Sequence, residues 1–336
     1  MRDCEICKSK NVVVLLDNLS FSSVVDNEPA EWNYQLLKCR NCGLGFVDPK
    51  PSWKRLSSFY DESYGSYTNI DIDSFAGRNS IRYRMLKYRY AQYASSGLGA
   101  MLQNALGAAV EWATGRTVAY SLGIPLQLPK DARIFDFGYG QGNWLLSMSR
   151  LGYTRLSGYD IDANEGNSAR LVAQGIEVSG GDFLENTYKN SSFDCIHMGH
   201  VLEHLLWPHE VLAECYRILK PGGILVLGSP CIDSWVAKLS LKDFPGLQLP
   251  WHLFHYTPKS AKMLLESAGF HVGKAKPYGA PQHLPIVVNA LLRDRGFRRF
   301  RFPSFMFIPV LPFYKLLCIL TRKGECLTML CEKPLK

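Results

Sequence analysis

The sequence has no histidine before residue 197, although it carries eight. Chemistry that needs an imidazole is thereby confined to the second half of the 336-residue chain. The chain also lacks an uninterrupted apolar run of bilayer length. The nearest, residues 303–320, is broken by Ser304, Lys315 and prolines at 303, 309 and 312, which argue against a single spanning helix. The start, Met1-Arg2-Asp3-Cys4-Glu5, has no apolar h-region, so no secretory leader is expected. Acid is in modest deficit, 30 Asp and Glu against 38 Lys and Arg. The excess of +8 is clustered rather than spread, and does not by itself imply nucleic acid. A disulfide framework is missing too. Of ten cysteines, four have metal spacing and six are scattered through apolar segments, which favours a reducing, cytoplasmic compartment.

What is present begins with Cys4-x-x-Cys7 and Cys39-Arg40-Asn41-Cys42-Gly43. Two such knuckles supply four thiolates for a tetrahedral ion, and Zn²⁺ fits that donor set best. Strands near 12–16 and 34–37 should fill the gap between them as a zinc ribbon. A ribbon can bind nucleic acid, but its commoner role is to staple a small domain that has little core. An aliphatic-aromatic strand at 44–47, Pro49, Pro51 and the tyrosine-rich stretch Phe59-Tyr60, Tyr64, Tyr67 follow.

The stretch that organises the remainder is Arg133-Ile134-Phe135-Asp136-Phe137-Gly138-Tyr139-Gly140-Gln141-Gly142. A short apolar run of β-formers meets three alternating glycines, and Asn143-Trp144-Leu145-Leu146 can then begin a helix. Strand, glycine turn and helix make a nucleotide-binding edge, because glycine lets the backbone turn sharply and approach a ligand. The spacing is not the G-x-G-x-x-G of dinucleotide folds. Downstream, 156–162 reads as a second strand ending in Asp160, 22 residues beyond Gly138. An acid at that range can accept hydrogen bonds from ribose hydroxyls. Further strands are expected at 176–178, 193–198 and 224–227, with a helix at 210–219 and a Lys220-Pro221-Gly222-Gly223 turn between the last two. This βαβαβ order gives a parallel, doubly wound α/β sheet.

In order and spacing these signals resemble the class I S-adenosylmethionine-dependent methyltransferases over residues 134–270. The resemblance implies a Rossmann-like seven-stranded sheet and S-adenosylmethionine as methyl donor. It implies that Asp136, Gly138 and Gly140 sit under the donor's methionine part, that Asp160 holds its ribose hydroxyls, and that Tyr139, Gly142 and Ile161 also line the donor site. Asp182 and Phe183 would meet the adenine, Phe183 through a backbone N–H or a packing face. Gly199 and His200 follow the fourth strand at the end where such sheets bind ligands, so His200 is expected to face the reacting methyl group. Similar ribbons precede methyltransferase domains in bacterial enzymes that modify sugars or cell-envelope precursors. No Asn/Asp-Pro-Pro-Tyr motif is present, which disfavours amino-methylation of adenine or glutamine.

His200-x-x-Glu203-His204 would place three side chains on one face if it formed a helical turn. Related ubiquinone-pathway O-methyltransferases and small-RNA 2′-O-methyltransferases carry Glu-x-x-Glu-His here and hold a divalent metal with it. This chain has His for the first Glu, so a second divalent ion at His200, Glu203 and His204, with His252 or His255 as a fourth ligand, competes with a structural role at a helix start. His200, His252 and His255 are the candidate bases, since imidazole suits removal of a hydroxyl proton.

Residues 71–130 read as a helical connector, with helices near 80–93 and 98–113. The next strand begins at 270–272, after a helix at 260–268. A final strand at 326–331 should lie antiparallel at the sheet's edge. Between them, 278–324 is an insertion in which Arg293, Arg295, Arg298, Arg299 and Arg301 precede the apolar run. That combination fits either a helical hairpin packed on the protein's own substrate cleft or on a partner subunit, or a peripheral contact of 293–320 with the inner face of a membrane. The expected organisation is ribbon 1–50, connector 51–130, methyltransferase core 131–277, insertion 278–324 and final strand 325–336. The expected activity is methyl transfer to a small molecule or a glycan, free or lipid-linked, most readily a sugar of cell-envelope or secondary-metabolite synthesis. Alternatives are a quinone or lipid-phenol O-methyltransferase, metal-dependent, and a non-catalytic ribbon that binds nucleic acid.

Overall fold

The computed structural model describes residues 2–25, 28–60, 98, 99, 102, 128–163, 165–280, 283–297 and 301–335. The expected connector helices and Tyr64 and Tyr67 lie outside these residues, apart from 98, 99 and 102.

Seven strands form the central sheet in the order β10-β11-β8-β7-β4-β5-β6. They are β4 (Arg133–Phe137), β5 (Arg155–Tyr159), β6 (Glu177–Ser179), β7 (Phe193–Gly199), β8 (Leu219–Pro230), β10 (His271–Tyr278) and β11 (Cys326–Glu332). Pairings from β6 through β5, β4 and β7 to β8 are parallel, whereas β11 runs antiparallel to both neighbours. Both faces are covered, which is why β4 is apolar almost throughout. Ile134 packs on one side with Leu145, Met148 and Leu156. Phe135 and Phe137 pack on the other with Phe183 and Phe193. Among the flanking helices, α2 (Asn143–Arg150) buries Leu145, Leu146 and Met148, and α4 (Pro208–Ile218) buries Val211, Leu212, Cys215 and Ile218. These recur at helical spacing, so each helix lays one apolar stripe on the sheet.

Three expectations need correction. The last strand is not at the edge: β11 inserts between β8 and β10, and β10 is the edge strand. The chain passes the position beside β8, lays down β10 and returns through the gap, which a local pattern cannot reveal. The 220–223 turn does not separate α4 from a short strand. It bulges from a longer β8, since pairing jumps from Phe193↔Leu219 to Cys195↔Ile224. Third, His200, Glu203 and His204 do not share a helical turn. Only Leu202–His204 is helical, as one turn of 3₁₀, and His200 precedes it with φ 59°.

The N-terminal region is a hairpin of β1 (Val12–Val25) and β2 (Glu28–Cys39) followed by β3 (Gly45–Asp48). Its sheet is completed by β9 (Phe254–His255), from the other end of the chain, in the order β1-β2-β3-β9. Gly45 pairs with His255 and Phe46 with Phe254. The second cysteine knuckle rests on the start of α6 (Pro258–Ser267). There Thr257, the N-cap, donates its hydroxyl to the Cys42 carbonyl at 2.9 Å, and Lys259 Nζ donates to Asn41 O at 2.6 Å. Ribbon and sheet share one apolar core that runs from Leu36 and Phe46 to Phe254 and Leu264.

Candidate active site

The glycine turn lies at the carboxyl ends of β4 and β5, and its glycines do different work. Gly138 has φ 78°, and a Cβ there would stand 2.4 Å from Val201 Cγ2. This glycine lets the loop after β7 close over the turn. Gly140 also has positive φ, 52°, but a Cβ there would meet nothing within 4 Å among the described residues. Against those residues its backbone leaves room for the expected approach of a ligand. Gly142, at the N-cap of α2, packs under Leu171.

Asp160, at the end of β5, is buried and accepts from Gly140 N at 2.7 Å through Oδ2 and from Asp162 N at 3.2 Å through Oδ1. A carboxylate offers about four acceptor positions, so each oxygen retains capacity for a hydroxyl. Burial raises its pKa to about 6, against the pull of the two backbone N–H bonds. Ile161 beside it is exposed, an apolar face at the rim. Asp182 is exposed and caps the 3₁₀ turn Phe183–Glu185, accepting from Leu184 N. The ring of Phe183 is committed to the aromatic core, edge-on to Phe137 at 4.6 Å, which leaves only its backbone half of the expectation. Tyr139 is likewise turned inward, its hydroxyl on Ser168 Oγ at 2.9 Å.

Asp136 has a partner that sequence reasoning missed. Its Oδ1 lies 2.7 Å from His197 Nδ1, and the His197 ring stacks on Trp144 at 4.0 Å and 3°. The two are register partners on β4 and β7. The usable signal was one polar residue inside the apolar run of each strand, but only the pairing of the strands brings them together.

Past Gly199, which pairs with Gly228 across two strand ends, the histidine region begins. His200 N donates to Gly228 O, and its half-exposed ring sets Nδ1 3.4 Å from Glu203 Oε1. The ring's partial desolvation works against charge on His200, but the Glu203 carboxylate outweighs it and raises the pKa. Glu203 is buried, with Oε2 accepting from Ser229 Oγ at 3.0 Å and Oε1 without a hydrogen bond. Burial would raise its pKa, yet the imidazoles of His200, His252 and His204 hold it at about 2.

His252 Nδ1 donates to Gly246 O at 2.9 Å, so its Nε2 carries the lone pair. Glu203, His204 and His252 bring their ligand atoms within 4.8 Å of one another. That set fits a divalent ion, but with His252 rather than His200 as the third member. His204 Nδ1 also lies 3.1 Å from both Tyr60 Oη and Trp251 O. His255 is buried at the seam with β3, and burial lowers both it and His204 to about 3. Two further groups were missed. His283 is lowered to about 4, first by burial and then by the charge of nearby His200. Glu325 is fully buried at the mouth of β11, accepts from Ala280 N, and is raised to about 7 by burial. Neither sits in a recognisable motif.

The four expected metal cysteines do converge. Cys4 and Cys42 Sγ are 3.6 Å apart, Cys7 and Cys39 Sγ 3.4 Å, and all four lie within 4.8 Å. Zn–S bonds of about 2.3 Å in a tetrahedron place sulfurs about 3.8 Å apart, so the cage has the right size for zinc.

Sheet order, glycine turn and the acid ending β5 together define a Rossmann-like methyltransferase fold. The family described as "Methyltransferase domain" matches residues 113–274. The chain is 34% identical over 173 residues to a ubiquinone biosynthesis O-methyltransferase of Dinoroseobacter shibae, a match covering 46% of this chain and 67% of the relative. It is 30% identical to methyltransferase str2 of Strobilurus tenacellus, covering 46% and 54%. To 24-methylenesterol C-methyltransferase 2 of Arabidopsis thaliana it is 29% identical, covering 34% and 39%. The chain spans 33% and 44% of two other curated relatives, from Streptomyces fradiae and Mycolicibacterium smegmatis. Among solved structures, a SAM-dependent methyltransferase from Archaeoglobus fulgidus is 18% identical at a TM-score of 0.42, covering 72% of this chain and 97% of that one. The chain belongs to the class I S-adenosylmethionine-dependent methyltransferases, and the non-catalytic reading falls away.

Proposed function

We propose that the acceptor is a hydroxyl-bearing small molecule or glycan, most readily a sugar, and that His200 takes its proton. The observation that carries this is the placement of the His200 turn. Val201 closes on Gly138 while the neighbouring imidazole remains half exposed, so the histidine adjoins the turn expected to hold the donor. When bound, S-adenosylmethionine supplies an electrophilic methyl group on a sulfonium. Gly140 would admit it by the bare backbone. Asp160 would receive the ribose hydroxyls on its spare lone pairs, with exposed Ile161 lining the rim beside it and Asp182 near the adenine amino group. His200 Nε2 would take the acceptor hydroxyl's proton, and Glu203 would steady the resulting imidazolium. Orienting the two reactants is the larger share of the protein's work. His204 and His255, held near 3, are poor bases at neutral pH.

Zinc in the four-cysteine cage would be structural, since four protein thiolates leave no open position. It would hold the knuckle on which Thr257 and Lys259 rest.

A second reading, O-methylation of a quinone or lipid phenol, is favoured by the 34% identity to the ubiquinone enzyme and by the Glu203, His204 and His252 set. A divalent ion there would be held by Glu203 Oε1, which otherwise lacks a hydrogen bond, and His252 Nε2. It would supply Lewis acidity toward a phenol oxygen.

Donor labelled in its methyl group, offered with separate panels of nucleotide sugars and of catechols or hydroquinols, distinguishes the two. Label entering a sugar with no effect of EDTA supports the first reading. Label entering only phenols, restored after EDTA by Mg²⁺, replaces it with the second.

A further inference from the structure

Between Asp294 and Glu325 the chain carries seven basic residues (Arg295, Arg298, Arg299, Arg301, Lys315, Arg322 and Lys323) and no acid. The fold arranges this insertion as α7 (His283–Asp294), a 3₁₀ turn (Ser304–Phe307) and α8 (Leu311–Thr321). It is pinned at several points. Asn289 exchanges two hydrogen bonds with the backbone of Phe302, at 2.9 and 2.8 Å, and Trp235 Nε1 donates to Thr321 Oγ1 at 2.8 Å. Tyr314 and Cys318 are buried against the sheet.

The way α8 faces is the informative feature. It buries Tyr314, Lys315 and Cys318 and turns Phe313, Leu316, Leu317, Ile319 and Leu320 outward. A water-exposed helix does the reverse, hiding its apolar stripe and showing its lysine. The turn before it repeats the pattern, so that Phe305, Phe313 and Leu320 are 68%, 74% and 73% exposed. Apolar residues crowded on one surface, rather than scattered singly, mark an interaction site. Arg295, Arg301 and Arg322 are exposed at its borders.

We infer that this face docks on an anionic lipid surface, the apolar side chains entering the headgroup boundary and the arginines meeting lipid phosphates. Charge complementarity selects that occupant. A second copy joined by the same face would bring two acid-free basic segments together. The docked chain would present its site to the bilayer, because α7 begins and α8 ends at the carboxyl ends of the strands. His283, the first residue of α7, lies near enough to His200 to feel its charge. The acceptor such a surface serves is one carried on a lipid.

Co-sedimentation of the full chain with vesicles tests this, using phosphatidylcholine alone and phosphatidylcholine with phosphatidylglycerol. The chain should pellet with the mixed vesicles and stay largely free of the neutral ones. A variant with Phe305→Ser, Phe313→Ser and Leu320→Ser should lose binding by more than about tenfold, and Arg301→Gln by about fivefold. Both should keep the wild-type melting temperature and affinity for S-adenosylhomocysteine, because the changed residues are exposed. A wild-type chain that remains in the supernatant with anionic vesicles overturns the inference. So does a wild-type dimer, by light scattering, that the triple variant converts to monomer, which would assign the face to a second copy.

Discussion

The two ends of the site are built on different plans. The donor end comes from one short piece of chain, residues 136–183, in which each strand, turn and acid follows the last. The proposed acceptor end would draw on distant stretches of the described chain: Tyr60 from beyond the ribbon, His200 to His204 after β7, Ser229 at the end of β8, His252 and His255 from the loop around β9, and His283 and Glu325 flanking the insertion. A donor is common to the whole class and is served by a local device. An acceptor is particular, and on the reading proposed above it would enter where additions to the common fold gather.

If that contrast is real, damage at the ribbon should cripple the acceptor end and spare the donor end. Cys39→Ser is the harshest test. Structural zinc is worth roughly 10–16 kcal/mol in small finger peptides, as much as the net stability of an entire domain, about 5–15 kcal/mol. Elemental analysis should show zinc lost, methyl transfer should vanish, and calorimetry should still find S-adenosylhomocysteine bound to the soluble remainder. Equal loss of both functions would mean the ends are one unit.

Asp160→Asn strikes the other side. Removing charged hydrogen bonds costs about 1.5–3 kcal/mol, so donor affinity should fall roughly ten- to hundredfold, read by titration, with the melting temperature little changed. Gly138→Ala should destabilise by about 1–3 kcal/mol, because the new Cβ meets Val201. Adding Val201→Ala should recover part of that in thermal melts.

Asp160 also sets a pH dependence. Burial raises it from 3.8 to about 6, so between those values the folded chain takes up a proton the unfolded chain does not. Without donor, its contribution to stability is fully present below 3.8 and is lost as pH rises through about 6. Donor affinity runs the opposite way, weakening as pH falls through about 6, because the protonated carboxyl has lost acceptor capacity. Titrations at pH 5 and 7.5 should separate wild type from Asp160→Asn, whose affinity should be flat. The mildest probe is Tyr60→Phe, which removes the hydroxyl beside His204. About 0.5–1.5 kcal/mol is at stake, visible as a few-fold drop in turnover with donor affinity intact.

The same division explains what could be read from the residues alone. Apolar runs, alternating glycines and an acid at fixed distance are local signals, so β4 to β7 and the middle of β8 were legible, and the glycines and Asp160 could be named as donor candidates. The pairing of Asp136 with His197 needs the register of two strands. The burial of β11 inside the sheet needs the path of the returning chain. A two-residue strand such as β9 has no period to detect, and a φ of 59° as at His200 is uncommon for any residue other than glycine. The four cysteines stand apart: long-range in the fold, they were legible because metal chemistry fixes their spacing.

The strand β9 has a consequence for how the chain is made. Phe46 cannot meet Phe254 until the ribosome has added 208 further residues. At about 5–20 residues per second, β3 waits roughly 10–40 s with a free edge. Through that interval an unpaired strand is a site for wrong partners. A nascent chain deprived of zinc would have the least to hold that edge in order while it waits.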